Sequence, residues 1–261
     1  MKIVVCLKQV PETNQVKLDP VTHNLIRQGL AGRINPFDRH AVQAALDLKA
    51  QVGGEVIVLS MGPNDNEYCL REGLAMGADR AILLSARAFA GSDTLATGYT
   101  LSQAIRKIGA VDLAFFGRQA VDADTGQVGP IVAEFLGWPQ LTLASQLTWT
   151  DQGLQGVRRL GALAQTLAVP LPAVVTATRE LNDPGYLQPR QIKAGFQQPI
   201  LTWNEVDLEA DPARLGVAGS PTVVRKILAP QTKTVPTQYL NPDPQAAVAE
   251  LLTALQAKNL L

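Results

Sequence analysis

Val111–Phe116 reads VDLAFF and Gly117–Pro130 reads GRQAVDADTGQVGP. A short apolar run enters a glycine-bearing loop, and a helix is expected from about Thr125 to Leu136. Gly117, Gly126 and Gly129 permit tight turns and close backbone approach. Asp124 or Thr125 is placed to cap the helix, and Gln127 adds an amide. A helix N-terminus offers free N–H groups and a positive dipole end, so such a loop can take a phosphate without a lysine. Asp122 and Asp124 then belong away from the phosphate, accepting from ribose hydroxyls or backbone N–H groups, with Arg118 balancing their charge. The alternative is that both are plain turn and cap residues. The loop alone leaves the two readings open, because no GxGxxG follows a strand and no GxxxxGK[ST] occurs.

The same strand–loop–helix grammar runs outward in both directions. KIVVCL (Lys2–Leu7), EVIVLS (Glu55–Ser60) and Ala81–Leu84 are apolar strands. Between them, Asn35-Pro36 opens a helix that Gly53-Gly54 ends, since Asn suits the N-cap and Pro the first helical position. Asn64–Met76 gives a second helix and Ser92-Asp93-Thr94 caps a third, through Ile108. Near-continuous apolar strands alternating with amphipathic helices predict an α/β, Rossmann-like parallel sheet with helices on both faces. Ligands of such sheets sit at the strands' carboxyl ends, where chain order reverses. The candidate loops are Lys8–Pro11, Met61–Asn64, Ser85–Thr94 and Gly117–Gly129.

Past Leu141 the texture changes. Leu141–Thr150, Leu154–Arg159 and Ala162–Val169 read as strands around a turn at Asp151–Gly153, and Ala173–Thr178 returns to the core. Beyond Thr178 the prolines at 184, 189, 199 and onward break the periodicity, until an amphipathic helix at about Gln245–Lys258. The expected division is an α/β nucleotide-binding domain over 1–200 and an extended C-terminal arm over 201–261. That arm is either a linker with a docked terminal helix or a segment that wraps a partner.

Composition excludes several classes. The 261 residues carry 46% hydrophobic and 18% charged side chains with zero formal net charge, which points away from nucleic acid and anionic membranes. No stretch reaches the length of a membrane span and no leader-like run follows Met1, so a cytoplasmic place is expected. Cys6 and Cys69 form no CxxC pair. His23 and His40 are the only histidines, neither beside a nucleophile, and Asp19 reads as solvated surface. No metal site and no catalytic acid, base or nucleophile is expected, so any redox chemistry must come from a bound cofactor.

Taken in order, MKIVVCLKQVPET, INPFDRHAVQAALDLK (Ile34–Lys49), LSMGPND (Leu59–Asp65), LAMGADRA (Leu74–Ala81), GRQAVDADTGQVGP, WPQLTLASQL (Trp138–Leu147) and LPAVVTATRELNDP (Leu171–Pro184) closely resemble the β subunit of electron transfer flavoproteins. The resemblance runs nearly end to end. It implies an adenine nucleotide held by Cys6, by Asn35, Pro36, Phe37 and Asp38, by Met61, and by the run Gly117, Arg118, Gln119, Ala120, Val121, Asp122, Ala123, Asp124, Thr125, Gly126, Gln127 and Val128. It also implies a heterodimer with the family's α subunit, around which the arm wraps.

The family has two branches. In one, this subunit holds AMP as a structural ligand and the flavin sits mainly on the α subunit. In the other, electron-bifurcating branch, an FAD occupies the AMP position and takes hydride from NADH. LDPVTHNLIRQGL (Leu18–Leu30), GSDTLATGYTLSQAI (Gly91–Ile105) and GVAGSPTVVRKILAP (Gly216–Pro230) resemble the second branch. So does TGQVGP. That adds Asp93, Thr94 and Thr97 as flavin contacts, with helix capping as their plain alternative. In the family a recognition loop after LN-[DE]-P anchors a flavin-containing dehydrogenase such as an acyl-CoA dehydrogenase. Here LNDPGYLQPRQIKAGFQQP is shorter, keeps Lys193 as its only lysine, and offers Leu187 as anchor. A stand-alone adenylate-binding α/β protein is the remaining alternative.

Overall fold

The structure is a computed structural model that describes residues 1–12, 32–151, 153–223 and 237–261. It divides into a first compact unit, Met1–Val224, and a second, Arg225–Leu261. The first unit opens with β1 (Lys2–Leu7), β2 (Gln9–Pro11), β3 (Gly32–Ile34) and α1 (Pro36–Val52). Next come β4 (Glu55–Met61), α2 (Glu67–Met76), β5 (Arg80–Leu84), α3 (Thr94–Ile108), β6 (Leu113–Gly117) and α4 (Val128–Leu136). After these lie β7 (Gln140–Thr150), β8 (Gly153–Leu160), β9 (Leu163–Val169), β10 (Ala173–Ala177), α5 (Pro189–Gln197) and β11 (Ile200–Trp203).

A nine-stranded sheet has the order β11-β5-β4-β1-β6-β10-β7-β8-β9. Neighbours are parallel from β11 to β7, and β8 and β9 extend the far edge as antiparallel strands. The chain builds outward from β1 through β4 to β5, then returns to the other flank of β1 as β6. The crevice between the ends of β1 and β6 is therefore the topological switch point.

Alternation along β1 divides the core in two. Ile3, Val5 and Leu7 pack with Ala41, Ala45 and Leu48 of α1 and Leu70 and Leu74 of α2. Val4 and Cys6 face the other way, toward Tyr99 and Ile105 of α3 and Val132 of α4. With both faces covered, Val4, Val5 and Val56–Leu59 have essentially no exposure. Each such side chain is worth about 1.5–3 kcal/mol relative to solvent. That is why these strands read as unbroken apolar runs.

Two elements depart from the expected irregular tail. Pro189 does not break the chain; it occupies the first turn of α5, where a capping box between Gln188 and Gln191 satisfies the helix start. Gly195 lets α5 lie against α2, since a Cβ there would stand 2.6 Å from Ala75 N. β11 then pairs with β5 and closes the sheet edge, past residue 200. The second unit contains α6 (Pro244–Ala257), capped by Asp243 through Ala246 N at 2.9 Å and displaying exposed Val248, Leu251 and Leu252. No described helix is long and apolar enough to cross a membrane.

Candidate functional site at the sheet switch point

Asp38 organises the crevice. It sits in the first turn of α1, and its carboxylate turns inward, 5% exposed. One oxygen accepts from Lys8 N at the end of β1 (2.7 Å); the other accepts from Gly117 N at the end of β6 (3.1 Å) and from Asn35 Nδ2 (2.9 Å). A Cβ at Gly117 would collide with that second oxygen, so only glycine lets the strand end come this close. Burial pushes the carboxyl from 3.8 up to about 7, although Asn35, Lys8 and Gly117 all pull the other way. Desolvation outweighs the donors because the contacts made by the described residues are neutral N–H groups, with the Lys8 charge acting only as the smallest of the opposing influences.

Asn35 extends the grip to the glycine-bearing loop. Its Nδ2 also donates to Gln119 O (2.8 Å), and its Oδ1 accepts from Val121 N (3.1 Å), 86 residues away in sequence. Lys8 Nζ reaches Asp122 at 2.7 Å, and the Asp122 side chain is 5% exposed. Among the described residues the cation beside Asp122 is Lys8 rather than the expected Arg118. Arg118 instead lines a neighbouring cleft of about 570 Å3 with Ser145, Thr178 and Glu180.

The far end of the loop differs from expectation in one respect. The helix begins at Val128, not at Thr125, and neither Asp124 nor Thr125 caps it. Asp124 and Gly126 hold left-handed φ values of 51° and 61°, which a helix cannot continue. The Asp124 carboxylate accepts from Gln119 Nε2 instead (2.8 Å). Gln127 stands at the N-cap without a side-chain cap bond. The Gln127 side chain thus takes up no amide at the start of α4, where Val128 and Gly129 carry N–H groups and Pro130 carries none, beside a loop exposed from Ala123 to Gln127.

The other expected contacts fall around this crevice. Cys6 ends buried on β1, Met61 closes the adjacent β4, and Pro36 and Phe37 start α1. Burial pushes both thiols up, Cys69 to about 12, so neither is a thiolate near neutral pH. Thr94 Oγ1 donates to Gln127 Oε1 (2.9 Å), which joins the starts of α3 and α4, and Thr97 lies one turn further along α3. Asp93 proves to be the N-cap of α3, accepting from Leu95 N and Ala96 N, while Ser92 bonds to Phe89 O. Leu18–Leu30, with Asp19 and His23, lies outside the described residues, as does Gly216–Pro230 beyond Val223.

The LNDP segment fastens onto α1: Asn182 accepts from or donates to His40 through three contacts at 3.0–3.1 Å, and Arg39 reaches Gly185 O. Beyond it Leu187 is half-buried, and Tyr186 projects with 94% exposure. Among the described residues no cluster of His, Cys, Asp and Glu is arranged for a metal ion. Sequence reasoning missed Lys8 as a partner of the loop. Its signal was its place directly after β1, at the carboxyl edge where the loop also lies.

Residues 22–208 match the model of the electron transfer flavoprotein domain. The chain is 44% identical over 233 residues to the electron transfer flavoprotein subunit beta of Clostridium acetobutylicum, covering 89% of this chain and 90% of that protein. It is 40% identical over 262 residues to the caffeyl-CoA reductase-Etf complex subunit CarD of Acetobacterium woodii, with both chains fully covered. It is 42% identical over 241 residues to protein FixA of Azorhizobium caulinodans, covering 89% of this chain and 86% of that one.

Proposed function

The chain belongs to the electron transfer flavoprotein family as a β subunit, serving in electron transfer, and from that premise we propose that the Gly117–Val128 loop holds the adenylate end of an FAD within this subunit. The observation that carries this reading is a loop backbone gripped by Asn35 and Asp38 at the switch point, running into a helix start that no side chain caps. The residues present fit a diphosphate. Backbone amides at the start of α4 supply donors and dipole without a lysine, and Lys8 is already committed to Asp122.

A bound flavin supplies the redox chemistry, and it is the cofactor's own. The chain's task is to bind, orient and desolvate. Asn35 and Asp38 set the loop, and Thr94 and Thr97 at the start of α3 and buried Cys6 near the end of β1 would help to hold the cofactor. In this reading NADH delivers electrons, a flavin-containing dehydrogenase and a low-potential acceptor receive them, and the arm wraps the α subunit in the cytoplasm.

AMP in place of FAD is the second reading, in keeping with the fact that Asn35, Asp38 and Lys8 engage only the Gly117–Asp122 part of the loop. Extraction of nucleotide from the co-expressed two-chain complex separates the two. Two FAD per heterodimer and no AMP is the expected result; one FAD with one AMP selects the structural ligand, and a colourless adenylate-binding monomer overturns both.

A further inference from the structure

Between β11 and Val223 the chain runs back across α3 as a strap, and one carboxylate fastens it. Asp93 Oδ1 caps α3 through Leu95 N (2.9 Å) and Ala96 N (3.1 Å). Its Oδ2 accepts from Thr222 Oγ1 (2.8 Å) and Thr222 N (3.1 Å). Asp93 N donates to Ser220 Oγ (2.8 Å), and that hydroxyl donates in turn to Gly216 O (2.6 Å). Both carboxylate oxygens and the amide of one residue are thus consumed by joining the strap to the helix start.

The strap fits closely elsewhere too. Gly216 holds φ 52° with its Cα against the carbonyls of Ala88 and Ala90, where any side chain would collide. Arg214 lays its guanidinium 4.0 Å from the Tyr99 ring centre, and Tyr99 Oη accepts from Asp211 N (3.0 Å). Leu208 and Leu215 are buried beneath, 5% and 2% exposed. Such packing gives the strap a defined seat, so its attachment at Asp93 is a discrete contact that can be made or broken.

The position of Asp93 ties that contact to the site. The next residue, Thr94, donates to Gln127 at the start of α4 (2.9 Å). On the strap side, Thr222 stands just before the second compact unit, which begins at Arg225. We propose that Asp93 is a positioning residue that couples occupancy of the adenylate site to the seating of the strap at the root of the C-terminal unit. It acts through Thr94 and Gln127 rather than by touching the ligand, because its own acceptors are already taken. This rests on the loop being the adenylate site, as proposed above. Coupling of this kind is reciprocal: a ligand that steadies the helix starts steadies the strap, and loosening the strap weakens the ligand by the same factor.

The test uses the complete two-chain complex, stripped of nucleotide and titrated with ADP, with amide exchange followed by mass spectrometry. The expected result is that ADP slows exchange in Gly216–Thr222 about fivefold or more, within the usual range for coupled sites. Thr222→Val removes one of the four bonds to the Asp93 carboxylate. It should abolish that protection and weaken ADP by the same factor, while Thr222→Ser restores both. Asp93→Asn, which keeps a capping oxygen and loses the charge, should act in the same direction. ADP binding with unaltered exchange in the strap would overturn the coupling and leave the site assignment standing. Failure of the wild-type complex to bind ADP would overturn both. If Thr222→Ser behaves as Thr222→Val does, the hydroxyl is not the coupling group and the proposal fails.

Discussion

Replacing Asp38 with Asn should make the protein more stable above neutrality and less stable in acid. Carrying a carboxyl from 3.8 to about 7 on folding means that its charged form is disfavoured in the native state by about 4 kcal/mol. The sign follows from proton counting. Between pH 4 and 7 the native state holds a proton that the unfolded state has lost, so stability falls as pH rises through that window, by about 1.4 kcal/mol per pH unit. Below 3.8 the cost is absent, and above about 7 it is complete.

Asparagine removes the charge but supplies a single acceptor. If that oxygen serves Gly117 N and Asn35 Nδ2, the amide nitrogen faces Lys8 N–H, and a partly buried donor is left without a partner, at about 1–3 kcal/mol. A protonated aspartic acid avoids this, because its hydroxyl oxygen still accepts. The difference between variant and wild type should therefore change by about 4 kcal/mol from pH 4 to pH 8 and cross zero near pH 5–6. Thermal unfolding of both proteins, in matched buffers across that range, reads the difference directly. A difference that stays constant with pH would refute the reasoning, since Asp38 would then not be the buried group that titrates.

Other outcomes follow from the same geometry. Asn35→Ala removes two donations and one acceptance at a residue 1% exposed, and should cost about 3 kcal/mol, with faster amide exchange in the loop from Gly117 to Gln127. Gly117→Ala should force β6 away from Asp38, costing about 1–3 kcal/mol in thermal unfolding and lowering nucleotide content in the purified complex. Asp124→Ala and Gln127→Ala, which cut the bonds to Gln119 and Thr94, should each lower nucleotide occupancy at little cost in stability; unchanged occupancy would remove the loop from the site. Cys6 and Cys69, buried and held as thiols, should resist iodoacetamide at pH 8 in the native protein and react only on unfolding, as intact mass shows.

The sequence by itself determined the frame. β1, β4 and β6 are legible because a strand covered on both faces must be apolar throughout, and α1 is legible because Pro36 suits the first helical position and apolar residues recur at helical spacing behind it, although the Asn35 side chain turns to the loop instead of capping the helix. The glycines of the loop marked close approach before any coordinates did. Order and co-occurrence of motifs carried the family, because a motif set in register is far more specific than one loop.

Tertiary structure decided what composition cannot express. α5 and β11 were hidden because prolines read as breakers when Pro189 in fact starts a helix, and because the apolar run of β11, ILTW, is only four residues long and directly follows Pro199. α4 begins late because Asp124 and Gly126 take left-handed backbone that only the folded loop imposes. Lys8, Asp38 and Asn35 meet the loop only once β1 and β6 lie side by side. A hydrogen bond across 79 or 114 residues follows from the crossing of the chain, not from local pattern. Local physics wrote the strands and helices; the order in which they pack chose which carboxylates would hold the loop, cap a helix or fasten the strap.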